Sequence, residues 1–207
     1  MQIIRKSSLR PVPWKNGGGI THEMIRAPAT GDAFHWRVSI AQIDVSGPFS
    51  NFAGYRRKMV LLRGAGVRLT VAAGPDRHLR EIGDMTEFDG GVATDCELVG
   101  GPCTDLNLMI SASLTGARAW VERLSATRPL EQPPVHGVVL AFAISGTVTV
   151  ELEHRKPARL QEWDLAVISS RERGSIGPAA PDSTSLDGAA APLVFFATLD
   201  DNSLPEP

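Results

Sequence analysis

A short run of residues near the N-terminus combines groups that bind small molecules with a backbone that is costly to order. Residues 13–19 read Pro-Trp-Lys-Asn-Gly-Gly-Gly, so an indole, an ammonium and an amide precede three glycines. Because each glycine loses more backbone freedom on folding than alanine does, by roughly 0.5–1 kcal/mol, the run predicts a sharp turn or a close backbone approach. The plainer alternative is a flexible turn that exposes Trp14 without a function.

Other side chains in the first half could recognise a small carboxylate. Guanidinium forks and carboxamides match carboxylate geometry, and charge-assisted hydrogen bonds contribute roughly 1.5–3 kcal/mol each. The sequence therefore predicts an anion site with walls from Trp14, Trp36 and Phe52 and with polar contacts from Lys15, Asn16, Arg37, Arg57 and Asn107. The alternative is that these arginines are solvated and that residues 105–107 supply only turn and strand-end hydrogen bonds.

Metal, nucleotide and nucleophile chemistry lack their usual motifs. No two of the five histidines stand at i and i+2, the spacing that lets neighbouring strand positions share an ion: His22, His35, His78, His136 and His154. His22 and Glu23 are adjacent, so on a strand they point to opposite faces. The glycine runs also lack the endings of a P-loop or a dinucleotide fingerprint. We therefore predict no metal and no cofactor, and His22 or Glu23 is the candidate general base if the protein is an enzyme.

Composition favours an all-β chain and argues against several classes of partner. Of 207 residues, 20 are glycine and 15 are proline, which indicates many turns and short elements. The net charge of −2, without a basic block, argues against nucleic-acid binding. No stretch is apolar enough for a signal peptide or a membrane span, and the two cysteines form no CxxC pair. We therefore predict a cytoplasmic protein with two ordinary thiols and no membrane partner.

Alternating apolar and polar residues indicate strands along most of the chain. Residues 36–41 alternate so that Trp36 lies on an apolar face and Arg37 on the opposite one. Residues 171–192 are rich in Gly, Ala, Pro and Ser, and they predict a surface loop.

A repeated pattern indicates an internal duplication. Residues 60–71 and 142–150 each contain an apolar strand, a polar-glycine turn and an alternating strand, which predicts a β-hairpin in each half. The apolar strand at 106–110 is matched by another at 193–197. The predicted organisation is an N-terminal barrel over 1–124, a connector over 125–134 and a C-terminal barrel over 135–200.

Several of these motifs together resemble the HutD/Ves family of bicupin-like proteins. The matching motifs are, in order, residues 13–19 with Thr21 and Glu23, residues 36–39 with Ala41, and residues 47–52, 61–64, 88–90 and 105–109. They cover about the first 110 residues, and the second half resembles the family only in its strand pattern. The resemblance implies an all-β, cupin-like double-stranded β-helix with two barrel halves in one compact unit. It also implies an association with bacterial histidine utilisation.

These observations predict a metal-independent cupin-type protein that binds a small carboxylate metabolite, such as urocanate or N-formylglutamate, and that serves histidine utilisation or its regulation. Binding is favoured over catalysis because the resemblance implies no known reaction. One alternative is a metal-independent isomerase or hydrolase acting on similar acids. Another is a protein-interaction module whose apolar loops dock a partner. Exposed strand edges also make a homodimer an expectation.

Overall fold

The chain folds almost entirely into antiparallel β-sheet. The computed structural model describes residues 1–72, 74–131, 137–180 and 190–200. These residues form nineteen strands: β1 (Gln2–Ile4), β2 (Pro11–Pro13), β3 (Gly19–Ala27), β4 (Trp36–Ile43), β5 (Gly47–Pro48), β6 (Tyr55–Arg63), β7 (Val67–Val71), β8 (Arg77–Leu79), β9 (Met85–Asp89), β10 (Thr94–Leu98), β11 (Cys103–Ser111), β12 (Arg118–Arg123), β13 (Arg128–Pro129), β14 (Gly137–Ser145), β15 (Val148–Leu152), β16 (Ala158–Leu160), β17 (Leu165–Ser169), β18 (Gly174–Pro178) and β19 (Leu193–Asp200). Within this described part, helical structure is limited to a 3-10 turn at Lys6–Ser8, and no helix could span a membrane.

The strands divide between two compact units, each with its own pair of sheets. The first unit, residues 9–115, has a six-stranded sheet in the order β2-β3-β4-β11-β6-β9 and a four-stranded sheet in the order β5-β10-β7-β8. The second unit, residues 1–8 with the described residues of 116–200, has the sheets β1-β17-β14-β19-β12 and β13-β18-β15-β16. The prediction of an all-β chain is confirmed.

The two units repeat one eight-strand plan. Taken in chain order, β4 to β11 occupy the same sheet positions as β12 to β19, so that β11 lies between β4 and β6 as β19 lies between β12 and β14. The apolar strands that the sequence matched, at 106–110 and 193–197, therefore belong to equivalent positions. This agreement supports the internal duplication more strongly than the sequence pattern alone does.

The two predicted hairpins are wrong in their pairing. β6 pairs with β11 and β9, whereas β7, which follows it directly, pairs with β10 and β8 in the other sheet. β14 and β15 are separated in the same way. Each glycine turn therefore carries the chain from one sheet to the other. Gly66 has a φ of +117°, and a Cβ there would lie 2.4 Å from the Leu79 carbonyl oxygen, so this crossing needs glycine.

The reason for this crossing is burial. Inward-facing residues of both sheets form one core in the first unit, so the strands before and after the turn contribute to opposite sides of that core. The buried members of the core are Ile43, Met59, Leu61, Val67, Leu69, Leu79, Phe88, Cys96 and Cys103. A flat hairpin would place β6 and β7 side by side in one sheet, and their apolar residues could not face each other across the core.

The compact units differ from the predicted barrel ranges at both ends. β1 pairs with β17, which assigns the first residues of the chain to the second unit, and β12 pairs with β19 rather than with the first unit's sheets. The predicted connector at 125–134 contains β13, which pairs with β18. Residues 132–136, which include the end of that connector, the start of the predicted second barrel and His136, lie outside the described residues.

The loop predicted at 171–192 is corrected in part. Its first portion contains β18, and residues 181–189 lie outside the described residues. The glycines of residues 171–192 led to the prediction of a loop, but those within β18 are required by the close packing of that strand. A Cβ at Gly174 would overlap the Glu151 carbonyl oxygen at 1.9 Å, and one at Gly177 would lie 2.2 Å from Thr127 Oγ1.

Candidate functional site

The glycine-rich run forms the tight connection between β2 and β3. The Trp14 N–H donates to the Gly19 carbonyl over 2.9 Å, and the Gly17 N–H donates back to the Trp14 carbonyl over 3.0 Å. Gly17 has a φ of +70°, and a Cβ on Gly19 would lie 2.2 Å from the Gln42 carbonyl oxygen. The run is therefore both a sharp turn and a close backbone approach, as its composition predicts.

This turn fixes the position of the indole. Trp14 Nε1 donates a hydrogen bond of 2.7 Å to Thr21 Oγ1 on β3. The ring is half-buried and packs against the core of the first unit. The alternative of a tryptophan exposed on a flexible turn is wrong, because the ring is held from both sides.

The central strands of the six-stranded sheet place three predicted polar residues on one face. Arg37 on β4 and Arg57 on β6 both lie opposite Met109 of the strand between them, β11. Asn107 is two positions from Met109 on β11 and lies opposite Ser39 of β4. Because strand residues alternate between faces, all of these side chains point to the same side of the sheet.

They line a cavity of about 590 Å³ within the first unit. Seven of the eight residues predicted for ligand binding lie in its wall: Trp14, Lys15, Asn16, Arg37, Phe52, Arg57 and Asn107. Sequence reasoning did not assign further lining residues to the site, including Thr21, Ser39, Phe49, Asp105 and Met109. The structure thus brings the predicted set together; that these residues bind a ligand stays a prediction.

Three other predicted residues are placed differently. Trp36 is fully buried and alternates with Arg37, so it lies on the opposite face of β4 and is not a wall of the cavity. His22 and Glu23 are likewise absent from the lining residues. Glu23 is engaged with Arg37: its Oε2 lies 2.8 Å from Arg37 Nε, an ion pair whose angle falls outside hydrogen-bond geometry.

Arg57 has the most unusual environment in the cavity. It is 5% exposed, and its guanidinium carbon lies 4.9 Å from the ring centre of Phe49, 5.8 Å from that of Phe52 and 5.0 Å from that of Phe88. Its Nε and Nη2 donate to Asn107 Oδ1 over 3.2 Å and 2.9 Å. Burial lowers the pKa of Arg57 to about 10, so the side chain stays a cation at neutral pH.

Asp105 completes this network from β11. Asn107 Nδ2 donates to Asp105 Oδ1, so one amide joins the buried guanidinium to a buried carboxyl. Burial raises the pKa of Asp105 to about 7, although the charge of Arg57 and the bond from Asn107 act in the opposite direction. The sequence interpretation that residues 105–107 supply only turn and strand-end bonds is wrong, because both polar residues lie inside a nine-residue strand. Their i, i+2 spacing was the available signal.

The described thiols and histidines do not form a candidate metal site. Cys96 and Cys103 are both free and buried, as the prediction of two ordinary thiols expects. Within residues 1–72, 74–131, 137–180 and 190–200, no group of three or more His, Cys, Asp or Glu side chains is placed to hold a metal ion.

The fold defines a cupin-like protein. A variant of Bacillus subtilis oxalate decarboxylase superposes with a TM-score of 0.65 over 98% of this chain and 78% of that one, at 10% identity. At this identity the likeness concerns the fold alone. It agrees with the two eight-strand repeats, each made of paired antiparallel sheets.

Within that class, the chain belongs to the HutD family, whose sequence model matches residues 6–184. An uncharacterised 21.2 kDa protein of Pseudomonas putida, named for its place in the hutC 3′ region, is 39% identical over 83% of this chain and 88% of its own length. A solved protein of unknown function from Pseudomonas aeruginosa PAO1 superposes with a TM-score of 0.82, at 29% identity over 97% of this chain and 98% of that one. The structure of HutD from Pseudomonas fluorescens SBW25 gives 0.73, at 28% identity over 96% and 98%.

Proposed function

We propose that the protein binds a small carboxylate metabolite in the cavity of the first unit. The environment of Arg57 is the observation that carries this proposal. Its Nε and Nη2 are held by Asn107, while Nη1 has no hydrogen-bond partner among the described residues. A cation surrounded by phenylalanine rings is poorly solvated, and a carboxylate that enters the cavity would supply the missing charge and acceptor.

The remaining polar groups suit the same ligand. Lys15 and Asn16 come from the β2–β3 turn and Arg37 comes from β4, so they lie on parts of the wall different from that of Arg57. Trp14 and Phe52 add apolar walls for the body of the ligand. A volume of about 590 Å³ lies within the range of small-molecule sites, which is roughly 300–1,000 Å³.

The proposed ligand class follows from the relatives. The name of the Pseudomonas putida relative places it beside hutC, and one solved relative is called HutD. We therefore propose that the protein serves histidine utilisation or its regulation, and that its ligand is an acid of that pathway such as urocanate or N-formylglutamate. Both carry a carboxylate that is ionised at neutral pH.

The two alternatives, an enzyme and a protein-interaction module, relied on residues that the structure places differently. The isomerase or hydrolase alternative loses the two general bases that the sequence suggested, because His22 is absent from the lining and Glu23 is paired with Arg37. Asp105 is the carboxyl that remains in the cavity wall, and its place in the buried network with Asn107 and Arg57 favours a role in ligand binding. An interaction module would use Trp14 as an exposed anchor, but that ring is half-buried and bonded to Thr21. We therefore propose binding without catalysis, and without a metal or cofactor.

A thermal-shift titration tests the proposal. The full chain, treated with a chelator, is titrated with urocanate, N-formylglutamate, glutamate and formate. A ligand at about 100 times its dissociation constant stabilises a protein by about 2.7 kcal/mol, which for a chain of this size gives a shift of roughly 5–10 °C. We expect such a shift with at least one acid. No shift with any of the four would contradict the proposal.

A pair of variants locates the site. Arg37→Ala removes a guanidinium from the cavity wall and should weaken binding by about tenfold or more, since a hydrogen bond to a charged group contributes about 1.5–3 kcal/mol. Arg68→Ala is the matched control, because Arg68 is an exposed arginine of β7 that pairs with Glu97 outside the cavity. If Arg37→Ala binds as well as Arg68→Ala and the parent, the ligand site is elsewhere.

We further propose that the protein acts in the cytoplasm as a homodimer. The two free thiols agree with a reducing compartment. Light scattering coupled to size-exclusion chromatography measures the assembly, and a monomeric mass would remove the dimer from the proposal.

A further inference from the structure

The carboxyl of Asp105 is almost completely buried, but only one of its two oxygens accepts a hydrogen bond. The residue is 1% exposed and lies in the middle of β11, between Ala41 of β4 and Leu61 of β6. Its Oδ1 accepts one bond, from Asn107, and its Oδ2 has no hydrogen-bond partner among the described residues. A carboxylate that is fully desolvated and half satisfied is unstable unless a nearby charge compensates it.

That compensation comes from one residue. Among the groups that act on Asp105, Arg57 on β6 is the cation that favours its ionised form. Its charge acts through space, and Asn107 lies between the two side chains, hydrogen-bonded to both. Cys96 approaches from β10 and interacts with both Asp105 and Cys103. Arg37, on β4, acts on Arg57. The protonation state of Asp105 therefore depends on whether another anion neutralises the positive charge of Arg57.

An anion that binds Arg57 competes for that charge. The ligand carboxylate would sit against the guanidinium, and the buried Asp105 carboxylate would then face a second negative charge and lose its compensation. We propose that the cavity takes up its anionic ligand together with a proton from solvent, and that Asp105 is the group that accepts this proton when the ligand neutralises the charge of Arg57. This inference rests on the proposed function, since it concerns ligand binding at the same site.

The effect of pH on ligand affinity follows from the titration of Asp105. The pKa of Asp105 in the ligand-free protein is already raised to about 7, so at neutral pH a small further rise on binding changes its protonation. Arg57 and Cys96 do not change state near neutral pH, because their pKa values are about 10 and about 12. By linkage, a ligand that raises the pKa of Asp105 binds more tightly at lower pH. Its affinity should fall as the pH rises above about 7, by at most tenfold per pH unit, and should level off above the pKa that Asp105 has in the ligand-bound protein.

Isothermal titration calorimetry on the full chain measures this coupling directly. N-formylglutamate is the probe, because its carboxyl groups titrate well below neutral pH and contribute no protons there. Titrations at one pH in Tris and in Hepes, whose ionisation enthalpies differ, give the number of protons taken up with each ligand. We expect uptake of a measurable fraction of a proton, and of no more than one, between about pH 7 and 8, together with an affinity that falls as the pH rises over that interval.

Two variants identify the group that takes the proton. Asp105→Asn keeps the shape of the side chain but cannot titrate, so proton uptake should disappear and the affinity should stop falling with pH. Asp95→Asn, an exposed position on β10, is the matched control and should keep both effects. If Asp105→Asn still takes up a proton with the ligand, Asp105 is not the group that accepts it.

The wild-type chain alone decides the proposal if Asp105→Asn does not fold. Binding without proton uptake and without pH dependence would refute this inference and leave the proposed function standing. No binding of N-formylglutamate at any pH would count against both, whereas a proton taken up with the ligand supports both.

Discussion

The burial of Asp105 predicts that this residue makes the folded state more stable in mild acid than at neutral pH, even without ligand. Burial raises its pKa from 3.8 to about 7, so the folded chain holds a proton that the unfolded chain releases. The stabilisation is complete below about pH 4 and is lost as the pH rises through about 7. This is the reverse of the usual carboxylate, whose pKa falls on folding.

The structure also sets the size of this effect. At pH 5 the folded-state pKa lies about two units above the solution pH, and each unit corresponds to 1.36 kcal/mol. Asp105 should therefore contribute about 3 kcal/mol more to the free energy of unfolding at pH 5 than at pH 8. Asp105→Asn removes this term, so the difference in stability between wild type and variant should change by that amount over the same interval.

Urea unfolding followed by circular dichroism at several pH values from about 5 to 8 measures the change. Subtracting the variant from the wild type cancels the contributions of all other titrating groups, and Asp95→Asn shows whether loss of any carboxylate has the same effect. Parallel pH curves for wild type and Asp105→Asn would refute the reasoning, because they would mean that burial does not perturb this carboxyl.

Two further predictions concern local packing and chemistry. Gly19→Ala should destabilise the first unit by several kcal/mol, because its Cβ would lie 2.2 Å from the Gln42 carbonyl oxygen, while Gly18→Ala, whose Cβ would meet the Asn16 side chain at 3.4 Å, should cost about 1 kcal/mol or less; equal losses in thermal unfolding would contradict this packing. Cys96 should react with a disulfide reagent at pH 8 only as fast as the protein unfolds, because burial raises its thiol pKa to about 12; rapid modification in the native state would show that the thiol is accessible.

Much of the fold could be predicted because apolar alternation and glycine turns are local signals. The strands and their duplication follow from such patterns, and the plan of eight strands per unit agrees with them. Pairing could not be predicted, because a turn such as 64–66 fits both a hairpin and a crossing between sheets. The pairing of β1 with β17 and of β12 with β19 joins distant parts of the chain, and nothing in the local sequence indicates it.

The residues of the candidate site could likewise be predicted only in part. Residue type was enough to select Arg37, Arg57 and Asn107, which line the cavity, because guanidinium and carboxamide groups match the geometry of a carboxylate. Residue type was not enough to exclude Trp36, although the alternation of residues 36–41 already placed it on the face opposite to Arg37. Asp105 was not selected for the site, because turn and strand-end hydrogen bonds were an equally good interpretation of residues 105–107, and only the structure shows its link through Asn107 to Arg57.

A crystal structure of the chain grown with N-formylglutamate tests the central claim most directly. We expect ligand density inside the cavity of the first unit, with a carboxylate oxygen within hydrogen-bond distance of Arg57 Nη1. The other two guanidinium nitrogens, Nε and Nη2, already donate to Asn107. Ligand density at another place, with the Arg57 guanidinium still without an acceptor at Nη1, would contradict it.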